Sequence, residues 1–509
     1  MPRTGYGVYL PAISLERSLP VPLYQQLCGG IRRAILQGSL RRGLRLPSTR
    51  CLASELRVSR NIVVMAFEQL LAEGYVEATT GAGTFVTNTL PDDVLQVDTR
   101  LPNEETRLPP QGRKVKQLPK LTLASSDPKL RFAPFRPGLP ALEGLPLDLW
   151  GRLLARRCRN ASAEVAVHGE PAGLRRLRDA IVAYVGAARG VRCSADQVII
   201  VNGSQQAIDL AARLLADPGD VAVVEDPGYV GARSVLQLAG TKLLPIRVGR
   251  EGLHVELLEQ RRTKARLVYV TPSHQFPLGV VLSLTNRLQL LDWAARNDAW
   301  ILEDDFDSEY RYDSKPIPAL QGLDQNGRVI YIGTFSKVLF PSLRLGYIIV
   351  PEDLVDTFIA ARWICDRCPP FVEQAALADF ISEGHLARHI RRMRALYMER
   401  RSVLVESIRE HLGELLETSD SGAGMHTVGW LPLGVDDARV AEEAARAGIH
   451  TIPVSAFAVR PLQRGGLLLG YAAFTPDLIK KGLRDLESVV RICLRTPYGG
   501  CRARTATAI

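Results

Sequence analysis

The sequence predicts an α/β fold with a largely parallel sheet, placed behind a small basic unit of helices and two short strands. Three observations carry this. From about residue 128 the β-branched runs QVIIV, DVAVVEDPG, RLVYVTPS, AWILEDD and RVIYIGT alternate with amphipathic helical stretches. Residues 1–90 hold ten arginines, no lysine and five glutamates, a balance of +5 that suits a polyanionic partner. Between these regions, residues 89–127 carry prolines 91, 102, 109, 110 and 119 with no sustained period, the composition of a linker. A chain of 509 residues is also too long for one simple core.

The N-terminal unit, residues 20–88, reads as follows. Pro22 suits a first helical position, and Leu23, Leu27, Ile31 and Ile35 recur every four residues. PSTRCLASEL gives a second, short helix with Leu52, Ala53 and Leu56 on one face. VSRNIVVMAFEQLLAEG gives a third, with Ser59 placed to cap it and Gly74 to end it. Ile62, Val63, Ala66, Phe67 and Leu70 form its apolar stripe, and YVEATTGAGTFV supplies two strands around a Gly-rich turn. Three helices and a two-stranded wing describe a winged helix-turn-helix. Arg60, Asn61 and Val64 lie off the stripe near the third helix's N-terminus, where such a helix meets base edges and phosphates. Arg50 starts the second helix within reach of a phosphate. Double-stranded DNA is therefore the expected partner.

The α/β region, residues 128–495, carries one lysine in unusual company. In GTFSKVLFPSLRLGY, Lys337 sits in a turn between two apolar runs, flanked by Thr334 and Ser336 and followed by Arg344. In such sheets ligands bind at the carboxyl ends of the strands. An amine kept partly uncharged by burial can hold an aldehyde as a Schiff base. AWILEDD ends a strand in acids, of which Asp304 is placed to keep a pyridine nitrogen protonated. VNGSQQA runs from strand to helix, so the N–H groups of Ser204 and Gln205 form an anion cradle. Thr334, Ser336 and Arg344 add hydroxyls and a bidentate cation. In EDPGYVG, Tyr229 follows its strand and can stack on a ring. Pyridoxal 5'-phosphate needs such an amine, a carboxylate at its ring nitrogen, an anion site and a flat cover, and the sequence offers a candidate for each.

Both halves then resemble known families. P-S-x-R, L-A, V-S-R and G-x-G-T-F-V in the first unit are similar to the GntR-type signature. That resemblance implies DNA contacts from Ser48, Arg50, Ser59, Arg60, Asn61, Thr80 and Gly81, with Cys51 and Ile62 departing from its usual polar residues. FRPGLP, GEPAGLRRLRDAI, NGSQQAIDL, EDPGY, TPSHQFPLG, EDDFDSEYRY and GTFSKVLFPSLRLGY resemble blocks of the fold type I aminotransferases. Fused in this order, the chain resembles the MocR/GabR family of bacterial transcriptional regulators. The resemblance implies that Lys337 carries pyridoxal 5'-phosphate, that Asp304 pairs with its ring nitrogen, and that the protein is a head-to-tail homodimer. A small C-terminal subdomain belongs to the same pattern.

Some positions depart from it. Phe306 stands where the family usually has a tyrosine bonding the cofactor's phenolic oxygen, which leaves His274 as a substitute partner. Phe276 replaces the asparagine of an N-P-x-G motif, Leu468 the arginine that clamps an α-carboxylate, and Gly231 an arginine found in some amino-acid binders. Arg460 and Arg464 are candidate substitutes. These changes predict little or no transaminase activity and a regulator that senses a small amine, an amino acid or the cofactor itself. A working aminotransferase with a DNA-binding appendage, or a cofactor-free scaffold, are the competing expectations. No apolar run spans a bilayer, the start lacks an apolar signal segment, and the eight cysteines are scattered, so a cytoplasmic location is expected. The Cys365/Cys368 pair has no partner pair at metal-ligand spacing, and the basic tail 496–509 is expected to fray.

Overall fold

The computed structural model describes residues 13–91, 110–118, 130–159, 167–261, 264–312, 317–418 and 422–495. The chain divides into two units, residues 1–107 and 108–509. Among the described residues no helix is long and apolar enough to cross a membrane.

The first unit is three helices and a hairpin: α1 (Leu23–Leu36), α2 (Thr49–Glu55), α3 (Arg60–Ala72), β1 (Val76–Thr79) and β2 (Gly83–Val86). Leu27, Ile31, Ile35, Leu52, Val63, Phe67 and Leu70 close into one core with Val76 and Val86 of the hairpin. Pro22 precedes α1 as its N-cap rather than entering it. Gly74 follows α3 with φ +80, the left-handed conformation that glycine adopts freely after a helix.

The second unit is built on an eight-stranded sheet. Its strands are β3 (Val198–Val201), β4 (Val221–Asp226), β5 (Lys242–Gly249), β6 (Gly252–Leu253), β7 (Leu267–Val270), β8 (Trp300–Asp305), β9 (Val329–Thr334) and β10 (Gly346–Ile349). They lie in the order β3-β10-β9-β8-β7-β4-β5-β6. β5, β4, β7, β8 and β9 pair in parallel, while β10 runs antiparallel to both neighbours. Helices cover both faces, which is why VIIV and LVYV are apolar throughout rather than alternating. A second sheet, β11 (Glu417–Thr418), β12 (His426–Trp430), β13 (Ile452–Pro453) and β14 (Gly466–Gly470), is antiparallel in the order β11-β12-β14-β13. With the helices His385–His411 and Pro476–Arg495 it forms the small C-terminal subdomain, around Tyr397, Leu404, Leu467, Leu469 and Leu486.

The expected linker departs from expectation in one place. Pro110–Gln117 is helical, because a proline at the first helical position removes an N–H that the helix would leave unpaired anyway. The remainder of that segment, residues 92–109 and 119–129, and the tail 496–509 lie outside the described residues.

Candidate functional site

The carboxyl ends of β3, β4, β7, β8 and β9 open onto a cavity of about 260 Å³. Seven of the nine residues expected at a cofactor line it: Lys337, Asp304, Tyr229, Ser204, Thr334, Ser336 and Arg344. Lys337 occupies the turn after β9, and a Cβ built on Gly138 would lie 2.9 Å from its Nζ. The loop FRPGLP therefore lies against the lysine, and Gly138 with φ +81 lets its backbone approach the amine. Burial pulls the Lys337 pKa below its ordinary value, against the opposing pull of Asp307 and Asp304.

Asp304 owes its placement to strand alternation. Glu303 and Asp305 point to the other face of β8. There Glu303 accepts from the N–H groups of Leu320 at 2.8 Å and Gln321 at 2.9 Å. Asp305 accepts from Arg189 at 2.7 Å and from the Tyr331 hydroxyl at 2.6 Å. Asp304 faces the cavity, where Tyr269 donates to its Oδ2 at 2.7 Å and its buried Oδ1 has no partner. Burial pushes the Asp304 pKa up to about 7, opposed by the Tyr269 bond. Behind it, Glu225 accepts from the Thr271 hydroxyl at 2.7 Å, and burial raises its pKa to about 7 as well.

At the far end, Gly203 (φ +88) precedes the helix Ser204–Leu215, whose start has no side-chain cap. The N–H groups of Ser204 and Gln205 belong to the first helical turn and have no acceptor within the helix. An ideal Cβ on Gly203 would lie 3.2 Å from both terminal nitrogens of Arg344, so the glycine lets the guanidinium close over the helix start. Arg344 also donates to the Asn202 carbonyl at 2.6 Å. The Ser336 Oγ is buried without a partner, while Thr334 accepts from the Ser336 N–H at 3.2 Å. The arrangement can hold an anion at one end, a protonated ring nitrogen in the middle and a carbonyl carbon at Lys337.

Two expected residues, Gln205 and His274, do not line the cavity with their side chains. The Gln205 side chain accepts from the Tyr229 hydroxyl at 3.0 Å and donates to the Gly231 carbonyl at 3.0 Å, leaving only its backbone at the helix start. His274 lies behind the wall rather than in it, because Asp307 draws its Nδ1 to within 2.9 Å. Its ring stands 6.0 Å from Phe306 and 5.1 Å from His426. Arg460 and Arg464 line a different cleft, with Arg247 and Trp430. Sequence reasoning missed Tyr269, Met425 and His426. Burial and the neighbouring His274 hold the His426 pKa well below its usual value, so this histidine is a neutral wall group whose Nε2 donates to the Pro277 carbonyl at 3.2 Å.

In the first unit, Arg50, Ser59, Arg60, Asn61, Thr80 and Gly81 are all exposed, and Gly81 turns the hairpin with φ +80. Ser48 is exposed too, but its hydroxyl caps α2 by accepting from the Cys51 N–H at 3.2 Å. Ser59 is the N-cap residue of α3 yet makes no side-chain cap bond, so its hydroxyl faces outward. Arg60 Nε donates to Thr49 Oγ1 at 3.3 Å, which ties the start of α3 to α2. Arg45, which the sequence did not single out, lies against Gly83 of the wing, where a Cβ would be 2.9 Å from its Nε.

Comparison with known proteins bears on both units. Residues 143–486 match the model of aminotransferase class I and II, and residues 23–86 that of bacterial regulatory proteins of the gntR family. The chain is 41% identical over 478 residues to the probable rhizopine catabolism regulatory protein MocR of Rhizobium meliloti, covering 93% of this chain and 95% of that one. It is 31% identical over 484 residues to the pyridoxine biosynthesis transcriptional regulator PdxR of Corynebacterium glutamicum, covering 94% and 98%. Among solved structures it is similar to a Pyrococcus horikoshii kynurenine aminotransferase. The TM-score is 0.68 and the identity 28%, over 79% of this chain and all (100%) of that one.

Proposed function

The chain belongs to the MocR-type transcriptional regulators, with a gntR-family DNA-binding domain and a class I and II aminotransferase domain, and from that premise we propose that its second unit holds pyridoxal 5'-phosphate at Lys337 and senses a small amine. One observation carries this: at the anchor end of the cavity, Asp304 Oδ1 and Ser336 Oγ are buried without partners among the described residues, beside a lysine whose charge burial disfavours. A buried polar atom without a partner costs free energy, on the order of 1–3 kcal/mol. A ligand with a ring N–H and a phosphate would satisfy both atoms at once.

When bound, this cofactor supplies an aldehyde that reacts with primary amines and a ring that draws electrons. Lys337 Nζ would tether it, and Asp304 would accept the ring N–H. The Ser204 and Gln205 N–H groups, Ser336, Thr334 and Arg344 would hold its phosphate. Tyr229 would cover the ring, while Phe276 and Phe306 keep water from the reacting end. The proposal includes a head-to-tail homodimer and a reader whose DNA contacts centre on Arg50, Arg60 and Asn61. The effector acts on DNA binding only if its contacts in the second unit differ between the protein's two states.

Leu468 and Gly231 count against a working transaminase, since neither can clamp a carboxylate. The test is absorbance and DNA retention of the purified chain with and without amines. A visible chromophore is expected in the wild type and none in Lys337→Ala, with no sustained conversion of a keto acid. Sustained conversion would favour the enzyme instead.

A further inference from the structure

The wall opposite the anchor has its own chemistry. On β14, Leu467 and Leu469 point into the core of the C-terminal subdomain, so Leu468 faces the other way. It packs with Val230, Leu278, Val428, Val454 and Phe457, and Phe276 packs against this group. Phe276 reaches the cavity and meets Phe457 edge-on at 5.1 Å, Phe306 at 5.8 Å and His426 at 5.5 Å. The aromatic layer is therefore continuous from Leu468's surroundings to the cavity surface.

No cation interrupts that wall. Among the described residues lining the cavity, Lys337 and Arg344 are the only lysine and arginine, and Arg344 is held at the opposite end, over Gly203. Arg464 is bound at 2.5 Å to Glu417 and at 2.5 Å to the Leu431 carbonyl, and Arg460 donates to the Pro245 carbonyl at 3.1 Å. Position 231 carries no side chain, and a Cβ there would lie 2.5 Å from Gln205 Oε1 and from Tyr229 Cζ, so an arginine would require both side chains to move. The acids at the cavity, Asp304 and Asp307, would repel a second carboxylate. An unpaired carboxylate buried against phenyl rings is strongly disfavoured.

We propose that the amine site takes primary amines whose carbon bears an apolar or aromatic group and no α-carboxylate, and discriminates against the matching α-amino acids. This rests on the cofactor reading above. With the amine nitrogen at Lys337, the substituent lies on Phe276, Phe306 and Met425.

The experiment titrates the chromophore of the cofactor-loaded, full-length protein by absorbance. The probes are 2-phenylethylamine, L-phenylalanine and L-phenylalanine methyl ester, which keeps the shape of the amino acid without its charge. Half-saturation is expected at least about tenfold lower for the amine and the ester than for the amino acid. Leu468→Arg should narrow that ratio by about tenfold or invert it, and Leu468→Met, of similar volume and no charge, should leave it unchanged. L-Phenylalanine binding as well as the amine in the wild type overturns this inference alone. Absence of any Lys337-linked chromophore overturns the cofactor reading and this inference with it. Should Leu468→Arg not fold, the wild-type ratio still decides.

Discussion

At the anchor end of the cavity, beside Lys337, Asp304 Oδ1 and Ser336 Oγ are buried polar atoms that find no partner among the described residues, whereas the facing wall of Phe276, Phe306, Met425 and the Leu468 cluster is apolar. The difference separates two kinds of selectivity. A site of unmet polar valences rejects ligands that cannot fill them by roughly 10⁴-fold or more, while an apolar wall distinguishes one methylene by only about 10–200-fold. On the proposed reading the anchor selects one cofactor, and the wall admits a class of amines. A catalyst has to orient a substrate's carboxylate through each cycle. A sensor has only to register that an amine has arrived.

The largest effect is expected at Asp304. Asp304→Asn removes the anion facing the ring nitrogen, and cofactor affinity should fall roughly tenfold to a hundredfold, read by equilibrium dialysis. Unaltered affinity would mean that the orphaned Oδ1 is not the ring's partner.

A smaller effect, in the cofactor-free chain, concerns pH. Burial raises the Asp304 pKa from the ordinary carboxylate range to about 7, so the folded state binds more protons than the unfolded state between about pH 4 and 7. Asp304 therefore costs stability increasingly as pH rises through that window. The buried His426, held below its usual pKa, works in the opposite direction at low pH, so the comparison must be made against Asp304→Asn. Relative to that variant, the wild-type Tm should fall between pH 5 and pH 8 by a few degrees. A flat difference in thermal scans would place the proton elsewhere.

The smallest effect tests the wall. Phe306→Tyr adds one hydroxyl to an aromatic layer, and the pH titration of the bound chromophore should move by about one unit or less. An unmoved midpoint would mean that residue 306 does not touch the cofactor's phenolic oxygen.

Much of the anchor was legible in the sequence because its residue types are fixed by chemistry and each follows a strand. In WILEDD the twofold alternation also separates Asp304 from Glu303 and Asp305, which share the opposite face. The partners of these residues were less legible. Tyr269 reaches Asp304 because β7 and β8 are neighbours in a register that pairs Tyr269 with Leu302, a fact that only the sheet order supplies. Met425 and His426 come to the cavity from the C-terminal subdomain, more than eighty residues along the chain from Lys337. His274 was expected at the cofactor and does not line the cavity; its Nδ1 pairs with Asp307, from the same EDDFDSEYRY block that supplied Asp304, and Asp307 is the member of that pair at the cavity. Ser48 in the first unit has a further role that the resemblance did not name: its hydroxyl caps α2 by accepting from the Cys51 N–H, while its own O–H remains able to donate.

In the proposed mechanism one lysine couples amine binding to DNA binding. Its most direct test titrates 2-phenylethylamine into cofactor-loaded protein on a fluorescent duplex selected by the protein from a random pool, with absorbance and anisotropy read in the same cuvette. Both signals should change with one midpoint, and Lys337→Ala should bind the duplex with no response to the amine. A DNA response that persists in Lys337→Ala, or an absorbance change that leaves DNA binding untouched, would contradict the account.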